Sequence, residues 1–244
     1  DTVIMSGNNL EINLGDGSNY VSISNFTDGN NEIYSGSGND TIFFEDRNIN
    51  ETEEKAQRNI INIKGGNNYI YNSNIEKSTI SSGAGNDTII TGGGGELYGH
   101  KTSINAGGGD NNVNVNTEMN YGTIYAGNGA DYVSVTSNGQ SNIVSVGGGN
   151  DTVLMNGDYS TIDAGAGNNV ISVNGSMIEN RIYGGGGNDF VTVKGESSKS
   201  IISVGDGRNT IVTSDYYDFN YNAKNTIEAG SGSDVIRVSG KNSY

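Results

Sequence analysis

A glycine-rich turn recurs along the whole chain at intervals of about 20 residues. Its first glycine, used below as the origin of each repeat, falls at Gly15, Gly36, Gly83, Gly107, Gly127, Gly147, Gly165, Gly185, Gly205 and Gly230, and Lys64 takes the same place in the turn KGGNN. Glycine supplies the positive φ angles that tight turns need. A repeat of this length is typical of a solenoid, in which each repeat forms one turn of a coil and stacks on the next.

Two apolar columns accompany every turn. Six residues after the origin stand Val21, Ile42, Ile70, Ile89, Val113, Val133, Val153, Ile171, Val191, Ile211 and Ile236. Three residues before it stand Ile12, Ile33, Ile61, Ile80, Ile104, Ile124, Val144, Ile162, Ile182, Ile202 and Ile227. A weaker column eight residues after the origin is interrupted by Asn72, Thr91 and Thr213. These spacings predict two short strands in each repeat, with alternate side chains turned inward.

The repeat is too short for a strand, a crossover helix and a second strand, because the crossover alone needs about a dozen residues. We therefore expect an all-β fold, a flattened parallel β-roll or β-solenoid of about 11–12 rungs that forms a single domain over residues 1–244. One rung buries only a few branched side chains, so the stability of each rung depends on its neighbours.

A column of side-chain oxygens lies four residues after each origin. Its members are Asn19, Asp40, Asn68, Asp87, Asn111, Asp131, Asp151, Asn169, Asp189, Asn209 and Asp234. Stacked strands lie about 4.8 Å apart, and like charges at that spacing repel by roughly 3 to 4 kcal/mol at an effective dielectric constant of 20. A Ca²⁺ ion midway between two such oxygens would have bonds of suitable length, and carbonyls of the glycine turn could complete its shell. We predict several Ca²⁺ ions bound along this column.

Five members of the column are asparagine, which lacks the charge that favours a cation. The alternative is a metal-free ladder in which stacked amides bond each other. Asp131 and Asp151 are the only aspartates on consecutive rungs, so we expect the tightest calcium site between them.

The turns GGGGNDFVTV, GGGNDTVLM, GAGNDTIIT and GSGNDTIFF resemble the repeats-in-toxin (RTX) nonapeptide of calcium-binding bacterial β-rolls. Only one turn of each coil carries the motif, which is similar to the calcium-bound repeats of giant bacterial surface adhesins, one of which binds ice. The resemblance implies a right-handed coil, secretion, and folding driven by calcium outside the cell. The ice-binding relative presents threonine between the two glycines. This chain has Asp, Ser, Ala, Gly or Asn there, so the resemblance does not extend to a threonine array.

Composition limits the partners and the location of the chain. The net charge of −15 disfavours nucleic acid and anionic lipid surfaces and suits cations. There is no cysteine, and no apolar run approaches the roughly 20 residues of a membrane span. The chain opens in mid-repeat with DTVIM, so we expect it to be a fragment of a larger protein. Together with the resemblance, this predicts an extracellular bacterial protein, either secreted or displayed at the cell surface.

Three insertions lengthen the link between the two strands of a repeat, at 45–59, 92–103 and 214–225, on the edge opposite the calcium turns. Insertions on one face of a solenoid are often binding loops. The last insertion carries Tyr216, Tyr217, Phe219 and Tyr221. We predict that these rings bind a carbohydrate or a protein surface ligand. The alternative is that they fold back on the roll as a local cap.

The outward face of the first strand is less polar than solvent requires. It carries Phe43, Ile90, Leu154, Phe190 and Val212 together with Tyr20, Tyr69, Tyr71 and Tyr132. Stacked side by side, these side chains form a stripe that could dock another domain of the parent chain or a second copy.

The sequence offers no catalytic constellation. His100 is the only histidine, and it stands in a glycine-rich segment. Right-handed β-helices include polysaccharide lyases and epimerases, but the basic candidates, Arg181 beside Tyr183 and Arg237, lack an accompanying cluster of acid and base groups. We therefore predict a calcium-binding structural or adhesive β-roll module without enzymatic activity. The alternatives are a metal-poor solenoid scaffold that forms a surface lattice or oligomer, and a polysaccharide lyase or epimerase.

Overall fold

In the computed structural model, short parallel strands stack into two long sheets. The structure describes residues 1–24, 29–45, 58–73, 76–92, 101–136, 138–214 and 224–239. One sheet has 12 strands, which are Thr2–Ser6, Tyr20–Ser24, Thr41–Glu45, Tyr69–Asn72, Thr88–Thr91, Asn112–Val115, Tyr132–Val135, Thr152–Met155, Val170–Asn174, Phe190–Lys194, Thr210–Ser214 and Val235–Ser239. The other sheet has 11 strands, which are Glu11–Asn13, Glu32–Ser37, Ile60–Gly65, Thr79–Ser81, Ser103–Asn105, Thr123–Tyr125, Ile143–Ser145, Thr161–Asp163, Arg181–Tyr183, Ile201–Ser203 and Thr226–Glu228. The chain alternates between the two sheets, which is the path of a parallel β-solenoid.

The strand register confirms the predicted repeat. In the 12-stranded sheet Val113 pairs with Val133, and in the 11-stranded sheet Ile104 pairs with Ile124. Equivalent repeat positions therefore lie directly above one another, and each predicted column is a physical row of side chains. The described residues contain strands and turns but no helix, so the fold class is all-β as predicted.

The core lies between the two sheets and consists of the predicted apolar columns. Val133, Ile124 and nearly all other members of the two invariant columns are fully buried. Asn72, Thr91 and Thr213, which interrupt the third column, are buried as well. Their polar side chains follow the same alternation, because the pleat of the strand determines which way each side chain points.

The edge opposite the glycine turns has a structure that the repeat did not predict. Nine residues other than glycine, each six positions before an origin, have φ between 51° and 58°: Asn9, Asn30, Lys77, Lys101, Tyr121, Ser141, Tyr159, Glu179 and Lys199. The chain then enters the next strand of the 11-stranded sheet, as Asn9 leads to the strand Glu11–Asn13. Two further short strands on this edge, Met177–Ile178 and Ser197–Ser198, pair with each other.

The glycine turns stack so closely that a side chain would not fit. A Cβ atom added at Gly185 would lie 1.7 Å from the carbonyl oxygen of Gly165 in the preceding turn, and Gly185 has φ of +82°. Gly187, two residues later, has φ of +131° and would meet Gly167 in the same way. Gly186, between them, faces open space. In turns of this kind the first and third positions favour glycine, with Lys64 the exception at the first, while the central one is free to vary, as Ala84 and Ala166 show.

Large parts of the three predicted insertions lie outside the described residues. These parts are 46–57, 93–100 and 215–223. The four aromatic residues predicted to bind a partner, Tyr216, Tyr217, Phe219 and Tyr221, belong to the last of them, and His100 belongs to the second.

Replacing Gly185 by alanine should destabilise the stack, whereas the same change at Gly186 should not. The Gly185→Ala side chain would collide with the carbonyl of Gly165 in a strained backbone conformation, which we expect to cost at least about 2 kcal/mol and to lower the melting temperature by about 4–8 °C. Thermal unfolding followed by circular dichroism in excess calcium measures both variants. Equal melting temperatures for Gly185→Ala and Gly186→Ala would contradict this account of the turns.

Candidate metal centre

Each residue of the predicted oxygen column stands immediately before a strand of the 12-stranded sheet, at the edge formed by the glycine turns. The members from Asn19 to Asn209 are buried, and Asp234 is half-buried in the last described turn. Each side chain reaches back to the preceding turn, where its Oδ1 atom accepts a hydrogen bond from the backbone amide of the equivalent residue. The amide of Asp131, for example, donates to Oδ1 of Asp151 over 2.8 Å.

This hydrogen bond repeats along the whole column. Ten such bonds of 2.7–3.0 Å join the eleven residues from Asn19 to Asp234. The spacing of the column predicts a calcium ion midway between two stacked side chains. In the structure Oδ1 of each side chain accepts a backbone amide, so at five of the aspartates Oδ2 is the oxygen that makes no hydrogen bond.

At three of the five asparagine rungs the second side-chain atom is a hydrogen-bond donor to two backbone carbonyls, whereas Nδ2 of Asn209 donates to the carbonyl of Gly205 and Nδ2 of Asn19 to Gly17, Ser35 and Asp40. Nδ2 of Asn111 donates to the carbonyl of Gly109 in its own turn over 2.9 Å and to the carbonyl of Ala126 in the next turn over 3.0 Å. Asn68 makes the same pair of bonds, both of 3.0 Å, and Asn169 makes them at 3.3 and 3.2 Å. The amide thus closes a gap between two neighbouring turns.

At the aspartate rungs the equivalent atom is an oxygen, and it has no partner. Oδ2 is buried without a hydrogen bond in five aspartates, which are Asp40, Asp87, Asp131, Asp151 and Asp189. The carbonyls at the register positions bridged by Asn111 belong, for Asp131, to Gly129 and Val146. Neither accepts a backbone hydrogen bond within the described turns. Asp131 therefore brings oxygen acceptors together without a hydrogen atom to share between them. At Asp87 the hydroxyl of Ser82 donates to the next-turn carbonyl, that of Ala106, over 3.1 Å.

Burial makes these carboxyl groups weaker acids than usual. It raises the pKa of Asp87, Asp131 and Asp189 above the ordinary value, because a charged form is poorly solvated inside the turn. The pKa of Asp151 is raised to about 6, first by burial and further by repulsion from Asp131. Hydrogen bonds from the amides of the preceding turn oppose these shifts without cancelling them.

The oxygen sets fit a hard divalent cation. A buried and unpaired negative charge is costly, and Ca²⁺ takes carboxylate and carbonyl oxygens as ligands. Across the described ranges no three Asp, Glu, His or Cys side chains converge on one point. Each site would therefore consist of one carboxylate together with backbone carbonyls of two turns, and not of a cluster of acidic side chains.

Four stretches of the sequence match the model of the RTX calcium-binding nonapeptide repeat, at residues 27–46, 78–95, 179–196 and 221–240. Each stretch contains one aspartate of the column, namely Asp40, Asp87, Asp189 and Asp234. The chain carries RTX calcium-binding nonapeptide repeats.

The RTX solenoid is similar in fold to a crystal structure of a hyperactive, Ca²⁺-dependent, β-helical antifreeze protein from an Antarctic bacterium. The TM-score is 0.67 and the sequences are 22% identical over 93% of this chain and 70% of the other. This likeness concerns the fold. Among curated proteins, none matches the sequence.

A second oxygen ladder of the RTX turns was missed in the sequence analysis. One position before the buried column, seven exposed side chains accept the amide of the equivalent residue in the following turn over 2.7–2.9 Å, namely Asn39, Asn67, Asn86, Asp110, Asn150, Asn168 and Asn188. This ladder runs in the opposite direction to the buried one. The first Asn of the recurring Asn-Asp and Asn-Asn pairs was the available signal.

A third ladder lies on the opposite edge, five residues before each origin. Its buried acceptors are Asn31, Asn59, Ser78, Asn142, Ser160, Asn180 and Ser200, and Asn225 ends the series. These small polar residues were visible in the sequence, but no charge or motif marked them. All three ladders hold neighbouring turns in register. Among the described members of the ladders, only aspartates of the first have a buried oxygen without a hydrogen-bond partner.

The stability of the metal-free protein should rise as the pH falls from 7 towards 4. The pKa of Asp151 is about 6 in the folded protein and 3.8 is its ordinary value, so the folded state binds the proton more tightly and gains stability when the group is protonated. The other raised aspartates act in the same direction. Asp151→Asn should flatten this dependence and be more stable than the wild type at pH 7.

Melting temperatures in EDTA across this pH range test the prediction. Asp163→Asn is the matched control, because it makes the same charge change at an exposed position on the outer face of the other sheet. Its pH profile should match that of the wild type. A wild-type melting temperature that is flat or falls between pH 7 and pH 5 would count against the buried carboxylates as the cause.

Proposed function

We propose that this chain is a calcium-binding structural module of an extracellular bacterial protein, and that external calcium completes its folding. The observation that carries the proposal is the set of five buried carboxylate oxygens without a partner, at the metal-binding position of the repeat. In the metal-free state these oxygens oppose the stacking that the apolar core favours. A cation at each of them would turn an unfavourable buried charge into a link between neighbouring turns.

The effect of calcium on folding is expected to be large because several sites act on one stack. Binding to the folded state alone stabilises it by RT ln(1 + [L]/Kd), about 2.7 kcal/mol for each site at a hundredfold excess of ligand. Five sites would therefore contribute more than the total stability of many domains, which is about 5–15 kcal/mol. A chain of this kind would be only marginally stable where calcium is scarce and firmly folded where it is abundant. That behaviour suits export followed by folding outside the cell.

The resident residues have defined roles in this proposal. Asp40, Asp87, Asp131, Asp151 and Asp189 would each supply one carboxylate oxygen, while the amide of the preceding turn holds the other oxygen in place. The turn carbonyls would add neutral oxygens. Asp234 lies in the last described turn and is less buried, so we assign it a weaker role.

Chelation should strongly destabilise the wild-type protein, and calcium should restore its stability. We expect the melting temperature, followed by the strand signal in circular dichroism, to fall in EDTA and to return on titration with Ca²⁺. Mg²⁺ should substitute poorly, because it prefers octahedral bonds of about 2.0–2.1 Å and gives up its water reluctantly. A strand signal and melting temperature that are the same in excess EDTA and in calcium would refute the proposal.

A second function, adhesion between copies of the chain, is favoured by the outer face of the 12-stranded sheet. From the strand Thr2–Ser6 to the strand Thr210–Ser214, the two central outward rows of this face carry no charged residue. The first charge is Arg237 in the last strand. The outer face of the 11-stranded sheet carries five charges in the same two rows, at Glu11, Glu32, Asp163, Arg181 and Glu228. In a chain of net charge −15, this difference supports the proposal that the 12-stranded face is a contact surface.

Aromatic packing on this face favours a protein partner over a sugar. Phe43 lies between Tyr20, Tyr69 and Tyr71, with ring centroids 5.5–6.2 Å apart and ring planes tilted by 47–50°. Tilted rings of this kind form an uneven surface, whereas a sugar ring stacks best on a flat one. Binding of a carbohydrate by Tyr216, Tyr217, Phe219 and Tyr221 stays a prediction from the sequence, because these residues lie outside the described ranges.

The size of the face suits pairing of two copies. Twelve strands about 4.8 Å apart and about four residues long give a surface of roughly 700 Å², close to the roughly 800 Å² per partner of a standard interface. Two identical faces are self-complementary in a symmetric dimer. Their lack of charge lets two acidic chains approach there with the least repulsion.

Replacing Thr88 and Thr152 by lysine should separate such a dimer into monomers. Both residues lie on the charge-free face, so four lysines would meet across the interface. The control makes the same change at Thr79 and Thr161, which lie on the outer face of the other sheet. Their strands are next along the chain to those of Thr88 and Thr152. Sedimentation in calcium measures the oligomeric state. A wild-type protein that stays monomeric at high concentration, or a control that dissociates equally, would overturn this second function.

The enzyme alternative gains no geometric support. Arg181 and Tyr183 lie on the outer face of the 11-stranded sheet and Arg237 on the 12-stranded sheet. The basic candidates are therefore on different faces of the solenoid and could not act together in one groove. We assign the chain a structural role without catalysis.

A further inference from the structure

Asparagine and aspartate alternate along the buried column with a single exception. In stack order the residues are Asn19, Asp40, Asn68, Asp87, Asn111, Asp131, Asp151, Asn169, Asp189, Asn209 and Asp234. Only Asp131 and Asp151 break the alternation. The two residue types have nearly the same shape and differ at one atom, which is NH₂ in asparagine and oxygen in aspartate. The order along the stack therefore alternates a donor with an acceptor at one structural position.

That position lies between carbonyls of two successive turns, as the asparagine rungs show. At Asn68, Asn111 and Asn169 the NH₂ group donates to both carbonyls at 2.9–3.3 Å. All three side chains are buried, so the bonds are shielded from water. An amide in this place presents partial positive charge to the same two backbone oxygens that a cation would contact at an aspartate rung.

The aspartate rungs lack that positive charge. Oδ2 of Asp87, Asp131, Asp151 and Asp189 is buried and unpartnered, although Oδ1 makes the same amide hydrogen bond as in asparagine. The rungs of Asn111 and Asp131 therefore differ in the atom that faces the turn carbonyls. A nitrogen atom donates to both carbonyls, whereas an oxygen atom leaves them without this donor.

We propose that Asn68, Asn111 and Asn169 each replace a calcium ion, so that the solenoid is a mosaic of calcium-dependent and calcium-independent rungs. This inference rests on the proposed function, because it takes the aspartate rungs as the calcium sites. It goes further by assigning these three asparagine rungs as closed to metal. It predicts one ion for each of the five unpartnered aspartates and none at the rungs of Asn68, Asn111 and Asn169.

The alternation has a physical consequence for the ions. Consecutive rungs are about 4.8 Å apart, so ions at every rung would repel each other strongly. An asparagine after nearly every aspartate roughly doubles that distance. It also spaces the carboxylates, which reduces their repulsion before calcium arrives. The pair Asp131 and Asp151 is the exception, and the metal-free stack should be weakest there.

The test exchanges the two residue types in both directions and counts ions. Asn111→Asp should bind one calcium more than the wild type and melt at a lower temperature in EDTA. Asp189→Asn should bind one calcium fewer and melt at a higher temperature in EDTA. Calcium bound per chain, from equilibrium dialysis, and melting temperatures in EDTA supply the two measurements. The control is Asn112→Asp, the same charge change at the adjacent exposed residue, which should alter neither.

Each outcome decides between the inference and the function on which it rests. A wild type that binds no calcium refutes both. A wild type that binds calcium while Asn111→Asp gains no ion refutes the inference alone, since asparagine is then not what closes the rung. If Asn111→Asp does not fold even in calcium, Asp189→Asn decides. A loss of one ion with a higher melting temperature in EDTA supports the inference, and a loss of one ion with a lower melting temperature overturns it.

Discussion

The close stacking of glycine turns is the contact on which the rest of the structure depends. The carbonyl of Gly165 lies where a side chain of Gly185 would be, and this arrangement recurs from turn to turn. It fixes the distance and the register between neighbouring rungs. With the register fixed, every repeat position becomes a straight row, and residues of similar chemistry in a row produce a continuous core or a continuous hydrogen-bond ladder. Small changes at one position are therefore multiplied along the stack.

Stacked polar rows have to satisfy each other, and the protein does this with side chains bonded to backbone amides. When Oδ1 accepts a hydrogen bond from the backbone amide of the preceding turn, the bond satisfies both the buried side-chain oxygen and the buried backbone N–H. This bond is indifferent to whether the residue is asparagine or aspartate. The second atom of the side chain is thus free to specialise. In Asn111 it donates to two turn carbonyls, and in Asp131 it is an oxygen without a hydrogen-bond partner.

Much of this architecture could be predicted because periodicity reports directly on stacking. Columns such as Val113 and Val133 were assigned to the core from spacing alone, and the strand pairing confirms them. The spacing also placed all eleven oxygen-bearing residues in one row. It could not show which oxygen each of them uses, because that depends on the direction of an amide in the neighbouring turn. The same limit applies to the opposite edge, where residues as different as Tyr121 and Lys199 share a positive φ. There the conformation is imposed by the turn and not by the residue.

The pair Asp131 and Asp151 shows how a local exception could govern the whole stack. Asp40, Asp87 and Asp189 each have an asparagine on both sides along the column. Here two buried carboxylates follow each other, Asp151 receives the repulsion of Asp131, and its pKa rises to about 6. The pair lies near the middle of the column, so a failure to stack at this point would divide the solenoid into two shorter pieces. Since the stability of a solenoid grows with the number of joined repeats, one calcium-dependent junction at the centre would couple the folding of both halves to the ion more effectively than one at either end.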